Sequence, residues 1–232
     1  MGEMMSSGWV QDLAEDKSLL DRTSTAERVA DVLRRRIIDG MLPPGTRLSE
    51  ESVGGALAVS RNTLREAFRL LAHERLLVHE FHRGVFVREL SAQDVVDLYE
   101  VRQMLETSAV RRAGTASPEA VRAVASAVAD GERAAGQQRW LDVGTANMRF
   151  HEAIVALAGS RRADEIMRQL LAELRLCFHV MSPLRDFHEP YIEDNRGIAD
   201  LLQAGCLDRA EQRLHDYLIT ARQQLVRAYE GL

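Results

Sequence analysis

The sequence predicts a mostly α-helical protein: an N-terminal winged helix-turn-helix with a small β-hairpin, followed by an all-helical antiparallel bundle. Three observations carry this. Apolar residues recur at helical spacing along most of the chain, and alternation is confined to one stretch, from Leu76 to Arg88. Aromatics make up only 5% of residues, while Ala, Leu, Arg and Glu abound. From Ala58 to Leu71 the chain has two faces: Leu64, Ala67, Phe68 and Leu71 share an apolar arc, and Arg61, Asn62, Arg65 and Arg69 share another.

The 232 residues, 46% hydrophobic and 28% charged, suit a soluble globular protein of one or two domains. A net charge of −5 excludes a general polyanion binder, but the charge is uneven. Residues 23–90 carry 11 arginines against 9 acids, leaving 19 bases and 26 acids elsewhere. An acidic body with a mildly basic front is compatible with local DNA contact. Cys177 and Cys206 form neither a disulfide framework nor a zinc-finger spacing, and read as buried apolar residues in a reducing compartment. No apolar run spans a membrane and no secretory signal is visible, so the expected location is the cytoplasm, without membrane contact.

Residues 1–22 lack a sustained period and read as a flexible leader. Thr23 or Ser24 caps a first helix, which ends at Gly40, and Pro43-Pro44-Gly45 makes a rigid turn. Leu48 begins an extended approach. Ser49 caps a second helix, Glu50 to Leu57, and Ser60 caps the third, from Arg61. The third helix docks by its apolar arc and offers forked donors on the other, the groups that match guanine and adenine edges in a major groove. Leu76–Glu80 and Val85–Arg88 then form a two-stranded wing, with His82 and Arg83 at the tip. Six helices follow: Ser91–Arg112 with Val95, Leu98, Val101, Met104 and Leu105 inward, 117–135, 141–158, 161–180, 189–204 and 207–229. No fixed repeat period links them.

The run Ile37-Ile38-Asp39-Gly40-Met41-Leu42-Pro43-Pro44-Gly45-Thr46-Arg47-Leu48, then Val59-Ser60-Arg61-Asn62-Thr63-Leu64-Arg65-Glu66-Ala67, then His82-Arg83-Gly84, resembles the DNA-binding domain of GntR-family transcriptional regulators. The resemblance implies DNA contact by Arg61, Thr63 and Arg65, with Gly84 letting the wing tip approach; Ser60, Asn62, His82 and Arg83 complete the candidate surface. Asn62 stands where Thr is commoner, and Ser52 where some members place a DNA-contacting Arg.

The remainder is similar to the all-helical FCD ligand-binding domain of the FadR-like branch, through Leu98-Tyr99-Glu100-Val101-Arg102, Asn147-Met148-Arg149-Phe150-His151 and Ala210…Leu214-His215…Leu218. The domains implied are residues 23–90 for DNA and 91–232 for effector binding and dimerisation. The resemblance implies an effector pocket with Arg102, Asn147, His151, Asn195 and His215, the last four at positions where many members hold a divalent metal such as zinc. Asn147 and His151, four apart, point to one helix face. Two of the four donors are neutral amides, weaker ligands than carboxylate or imidazole, so a metal-free polar pocket is the alternative. His179 and His188 could substitute, without a motif behind them. Arg102 would fork onto an effector carboxylate or pair with Glu106.

The function implied is a ligand-responsive transcriptional regulator, most often a repressor in this family, binding a palindromic double-stranded operator as a homodimer and sensing a small organic acid. A metal-dependent enzyme on the His-bearing bundle is the rival, but no His-Glu-x-x-His, activated nucleophile or Gly-rich phosphate loop is present. A winged helix used only for protein contact would prefer aromatic and apolar anchors to Arg61 and Arg65.

Overall fold

The structure, a computed structural model, describes residues 24–181 and 183–231. The expected leader lies outside them. Helix α1 (Thr25–Ile38) opens with a reciprocal capping box between Ser24 and Glu27 and buries Val29, Ala30, Leu33 and Ile37. Strand β1 (Arg47–Leu48) follows the double-proline turn. Helix α2 (Glu50–Leu57), capped by Ser49, ends at Ala58 in the left-handed conformation, and α3 (Arg61–His73) starts after the Ser60 cap. Strands β2 (Leu77–Glu80) and β3 (Gly84–Val87) pair antiparallel.

The wing therefore has three strands where two were expected. The segment at Leu48 joins it: Arg47 stands opposite Phe86 and Leu48 opposite Val85, in the order β1-β3-β2. Pairing needs the edge of β3, which only the folded turn brings within reach.

The bundle comprises α4 (Ala92–Arg111), α5 (Pro118–Gly136), α6 (Trp140–Ala156), α7 (Arg161–Arg175), α8 (Leu184–Gln203) and α9 (Leu207–Glu230). Ser91, Ser117 and Ser160 cap α4, α5 and α7, and Pro118 occupies the first turn of α5. Helix α5 lies along α6, and α4 along α9. The expected helix 161–180 tightens to a 3-10 turn from Leu176 to Val180. The expected start at Glu189 is also corrected, because α8 begins at Leu184 and carries Pro190 inside it at the loss of one backbone rung.

On α4 the inward stripe differs from the apolar reading. Val95 and Leu98 are buried, but Val101 and Met104 are exposed, and Arg102 and Glu106 take the buried places. Cys177 is buried, which pushes its thiol up to about 12, whereas Cys206 is only half-buried. Arg88, just past β3, binds Glu173 of α7 and Asp94 of α4, each at 2.7 Å, tying the wing to the bundle. Among the described residues no helix is long and apolar enough to cross a membrane.

Candidate nucleic-acid interface and effector pocket

Helix α3 has the two faces read from its sequence. Leu64, Ala67, Phe68 and Leu71 are buried and seat the helix against α1. Arg61, Asn62, Arg65 and Arg69 are exposed together on the other side. The Ser60 hydroxyl accepts from the Thr63 backbone N–H at 3.1 Å and lies 2.8 Å from the Thr63 hydroxyl. It thereby closes the first turn beneath Arg61.

Three arginines on this side are held by acids. Arg65 Nε donates to Glu50 Oε1 at 2.9 Å, a hydrogen bond that holds the Glu50 carboxyl below its ordinary range. Arg69 pairs with Glu66, and Arg83 with Glu80. At the wing tip His82 has φ +60° and Gly84 φ +109°, so the turn needs the freedom of glycine at the second position. The Arg83 guanidinium lies over the Phe86 ring at 5.3 Å. Arg47, absent from the sequence-derived set, brings its guanidinium to Gly84, with Nε 3.5 Å from where a Cβ would stand. Its neighbour Leu48 in β1 is buried, and the pleat turns Arg47 to the other side.

The second candidate site is a buried polar chain inside the bundle. Arg102 and Glu106 are 1% and 0% exposed, and Arg102 Nε donates to Glu106 Oε1 at 2.9 Å. The guanidinium also sits over the Tyr99 ring at 4.6 Å. Glu106 Oε2 lies 2.7 Å from His151 Nδ1, and His151 Nε2 lies 3.1 Å from the Tyr217 hydroxyl. That hydroxyl is also 3.1 Å from Asn147 Oδ1, which accepts from Asn195 Nδ2 at 2.7 Å. Burial pushes the Glu106 carboxyl up, but His151 and Arg102 outweigh it and hold the group below its ordinary value. Burial also pulls the His151 pKa down, against the nearby Glu106 carboxylate that raises it. Arg102 Nη2 and Asn195 Oδ1 have no partner among the described residues.

These residues do not fit a metal ion. Asn147, His151 and Asn195 meet, but both nitrogens of His151 are engaged and the Tyr217 hydroxyl stands among the donors. His215 does not join them. It is two residues from Tyr217, about 200° around the helix, and its Nδ1 meets Gln103 Nε2 at 2.7 Å instead. Among the described residues no group of three His, Cys, Asp or Glu side chains is placed to hold a cation. His179 is exposed and bonds the Leu176 carbonyl, whereas His188 is buried. The space left beside Asn147 and Asn195 is about 10 Å³, barely a water's worth. Arg102 is turned to Glu106, the second of the two roles open to it in the sequence. Glu106 and Tyr217 are the members of the chain that the candidate set lacked.

Comparisons with known proteins agree with this two-part arrangement. The family model described as bacterial regulatory proteins, gntR family, matches residues 25–87, and the FCD domain model matches residues 97–220. The chain is similar to the "Probable D-xylose utilization operon transcriptional repressor" of Paenarthrobacter nicotinovorans, 32% identical over 201 residues, covering 84% of this chain and 86% of that one. It is 37% identical over 107 residues to the gluconate operon transcriptional repressor of Bacillus licheniformis, a match covering 46% of this chain and 44% of the relative. The match thus spans under half the length of that repressor. The crystal structure of a GntR transcriptional regulator from Rhodococcus sp. RHA1 superposes with a TM-score of 0.83 at 43% identity, covering 89% of this chain and 100% of that one. The Escherichia coli protein McbR/YncC shares the fold, at 19% identity and a TM-score of 0.75, with 90% of this chain and 100% of that one covered.

Proposed function

The chain belongs to the GntR family of bacterial regulatory proteins, with an FCD domain following its DNA-binding domain, and on that premise we propose that a small carboxylate effector sets the affinity of a homodimer for a palindromic operator. Members of this family are DNA-binding transcriptional regulators, and this one is a regulator rather than an enzyme. The observation that carries the reading is the capped helix α3, seated by four buried residues, with Arg61, Asn62 and Arg65 exposed beside the wing. Such a helix fits a major groove, where Arg reads guanine and Asn reads adenine.

In this reading residues 23–90 grip DNA and residues 91–232 dimerise and sense the effector. Arg61, Asn62, Thr63 and Arg65 face bases; His82, Arg83 and Gly84 bring the wing to the backbone; Ser60 holds the first turn. Glu50, Glu66 and Glu80 yield their arginines to phosphates and bases on binding. Repression is the expected sign, because the two relatives above are repressors by name, and the cytoplasm is the expected location. The pocket works without a metal, a reading supported by the engagement of His151 and the displacement of His215.

Selection of full-length protein against a random duplex library tests the reading, followed by gel-shift titration of the selected site. The site should be a palindrome bound by two chains. Arg65→Ala should weaken it by about 1–3 kcal/mol, if the side chain reads a base, and leave the fold and dimer intact. Unchanged affinity in that variant would remove Arg65 from the interface.

A further inference from the structure

Where α1 ends against the bundle, one arginine has no ion-pair partner among the described residues. Arg175 closes α7; its Nη2 donates to Thr145 Oγ1 at 2.9 Å, and its Nε reaches the Ile38 carbonyl at 3.5 Å. Asp39 and Asp142 influence it only through space, against a larger effect of burial that pulls its pKa down. Beside it stands His188 of α8, 2% exposed, whose Nδ1 has no partner among the described residues. The two side chains converge on Gly144 of α6. A Cβ there would stand 2.8 Å from His188 Nε2 and 3.6 Å from Arg175 Nη1. The missing side chain lets both donor-bearing groups pack close to the α6 backbone, where an alanine would displace His188.

Arg175 also separates two spaces at the seam between the winged part and the bundle. One, of about 120 Å³, is walled by Ile37, Pro43, Leu141, Phe178 and Leu184, with His188 at its end. The other is an open cleft of about 580 Å³ reaching Arg34, His73 and Gln169. Of the carboxylates in that cleft, Glu74 is held by Arg34 at 2.6 Å, and Glu152 and Glu165 face it as well. An anion is therefore favoured on the inner side of Arg175, where the walls are apolar and carry no acid.

We propose that this seam binds a small monocarboxylate with an apolar body: the carboxylate bridges Arg175 and His188, and the body lies against Pro43 and Leu184. The assignment rests on the ligand-responsive reading above and puts the ligand outside the buried Arg102–Asn195 chain, where there is no room for it. It also supplies a route to DNA. Ile38 is the last residue of α1, and α1 packs on α3. A carboxylate competes for the guanidinium that reaches the Ile38 carbonyl, and so alters how the DNA-binding helices sit on the bundle. A ligand held more tightly in one arrangement than the other shifts operator affinity.

The test is calorimetry on the full-length protein with benzoate and 3-methylbutanoate, and with benzamide as the uncharged counterpart of benzoate. Either acid should bind and benzamide should not. Arg175→Gln should weaken the acid by roughly tenfold or more, as loss of a charge-assisted hydrogen bond does, and Gly144→Ala should weaken it by displacing His188. Circular dichroism establishes that each variant is folded. No binding of either acid, or binding unchanged in Arg175→Gln, overturns the seam site. Acid binding that survives both variants but is lost in Asn147→Ala places the ligand in the bundle core, which keeps the effector reading and removes this one. Arg175-dependent binding that leaves the affinity for the selected DNA unchanged does the opposite: the site stands and the regulatory reading falls.

Discussion

Substituting Glu106→Leu should be among the most damaging single changes in the bundle, and pairing it with Arg102→Met should restore most of what it loses. Arg102 and Glu106 are 1% and 0% exposed and meet at 2.9 Å. Removing one member of such a pair leaves a buried charge without compensation, which costs about 3–5 kcal/mol. Glu106→Leu also strips His151 of its 2.7 Å partner, an unmade buried hydrogen bond worth about 1–3 kcal/mol. The two losses share atoms and do not simply add, so about 4 kcal/mol is expected for the single variant. The double variant removes both charges and keeps the volume apolar, and should lie within about 2 kcal/mol of the native chain. Urea denaturation followed by far-UV circular dichroism, at one protein concentration so that any self-association contributes equally, reads both numbers. A loss below about 1 kcal/mol in Glu106→Leu, or a double variant no better than the worse single, would refute the view that these residues stabilise each other as a buried ion pair.

Ser60→Asp keeps an equivalent helix cap, so stability should hold to within about 0.5 kcal/mol, while the new charge beneath Arg61 weakens DNA binding in a gel shift; Ser60→Ala should cost about 1 kcal/mol in a thermal melt. Burial lowers His188 from 6.5 to about 4, with Arg175 adding to the effect. The unfolded chain therefore takes up this proton first, and stability present above pH 6.5 is lost as pH falls towards 4. Between pH 7 and pH 5 the loss is about 2 kcal/mol; His188→Gln should remove that much from the pH dependence of the urea midpoint, and equal slopes in the two proteins would show that His188 is not buried neutral. Glu152 and Glu173, pushed up by burial, oppose this slope but cancel in the difference. Gly84→Ala forces a Cβ onto φ +109°, at about 1–3 kcal/mol of strain, and should loosen the wing, read as faster amide exchange from Val85 to Val87.

The winged half was legible because its elements are encoded locally. Ser24, Ser49 and Ser60 each precede a helix and cap it, and the four apolar residues of α3 recur at the helical period and are the four that α3 buries. Arg61, Asn62 and Arg65 followed as the exposed face by subtraction. The third strand was missed because two residues carry no readable alternation, and their pairing depends on the opposite edge of β3. The ends of α7 and α8 were misplaced for a related reason: Pro190 signals a helix start locally, and only packing of Phe187, His188 and Tyr191 keeps the preceding turns helical.

By itself the sequence determined the order of the helices, the α3 face and the family pattern, since capping, periodicity and turn chemistry act over a few residues. Tertiary structure alone decided how the bundle uses its polar residues. A hydrophobic scale places Val101 and Met104 inside, yet Arg102 and Glu106 hold those positions because each neutralises the other and His151, Tyr217 and Asn147 complete their bonds from other helices. Likewise His215 left the expected ligand set through helix phase, and Arg175, His188 and Gly144 came together from three helices with no motif to announce them. A buried charge is tolerated only where partners converge in space, and that convergence is not written in any one stretch of the chain.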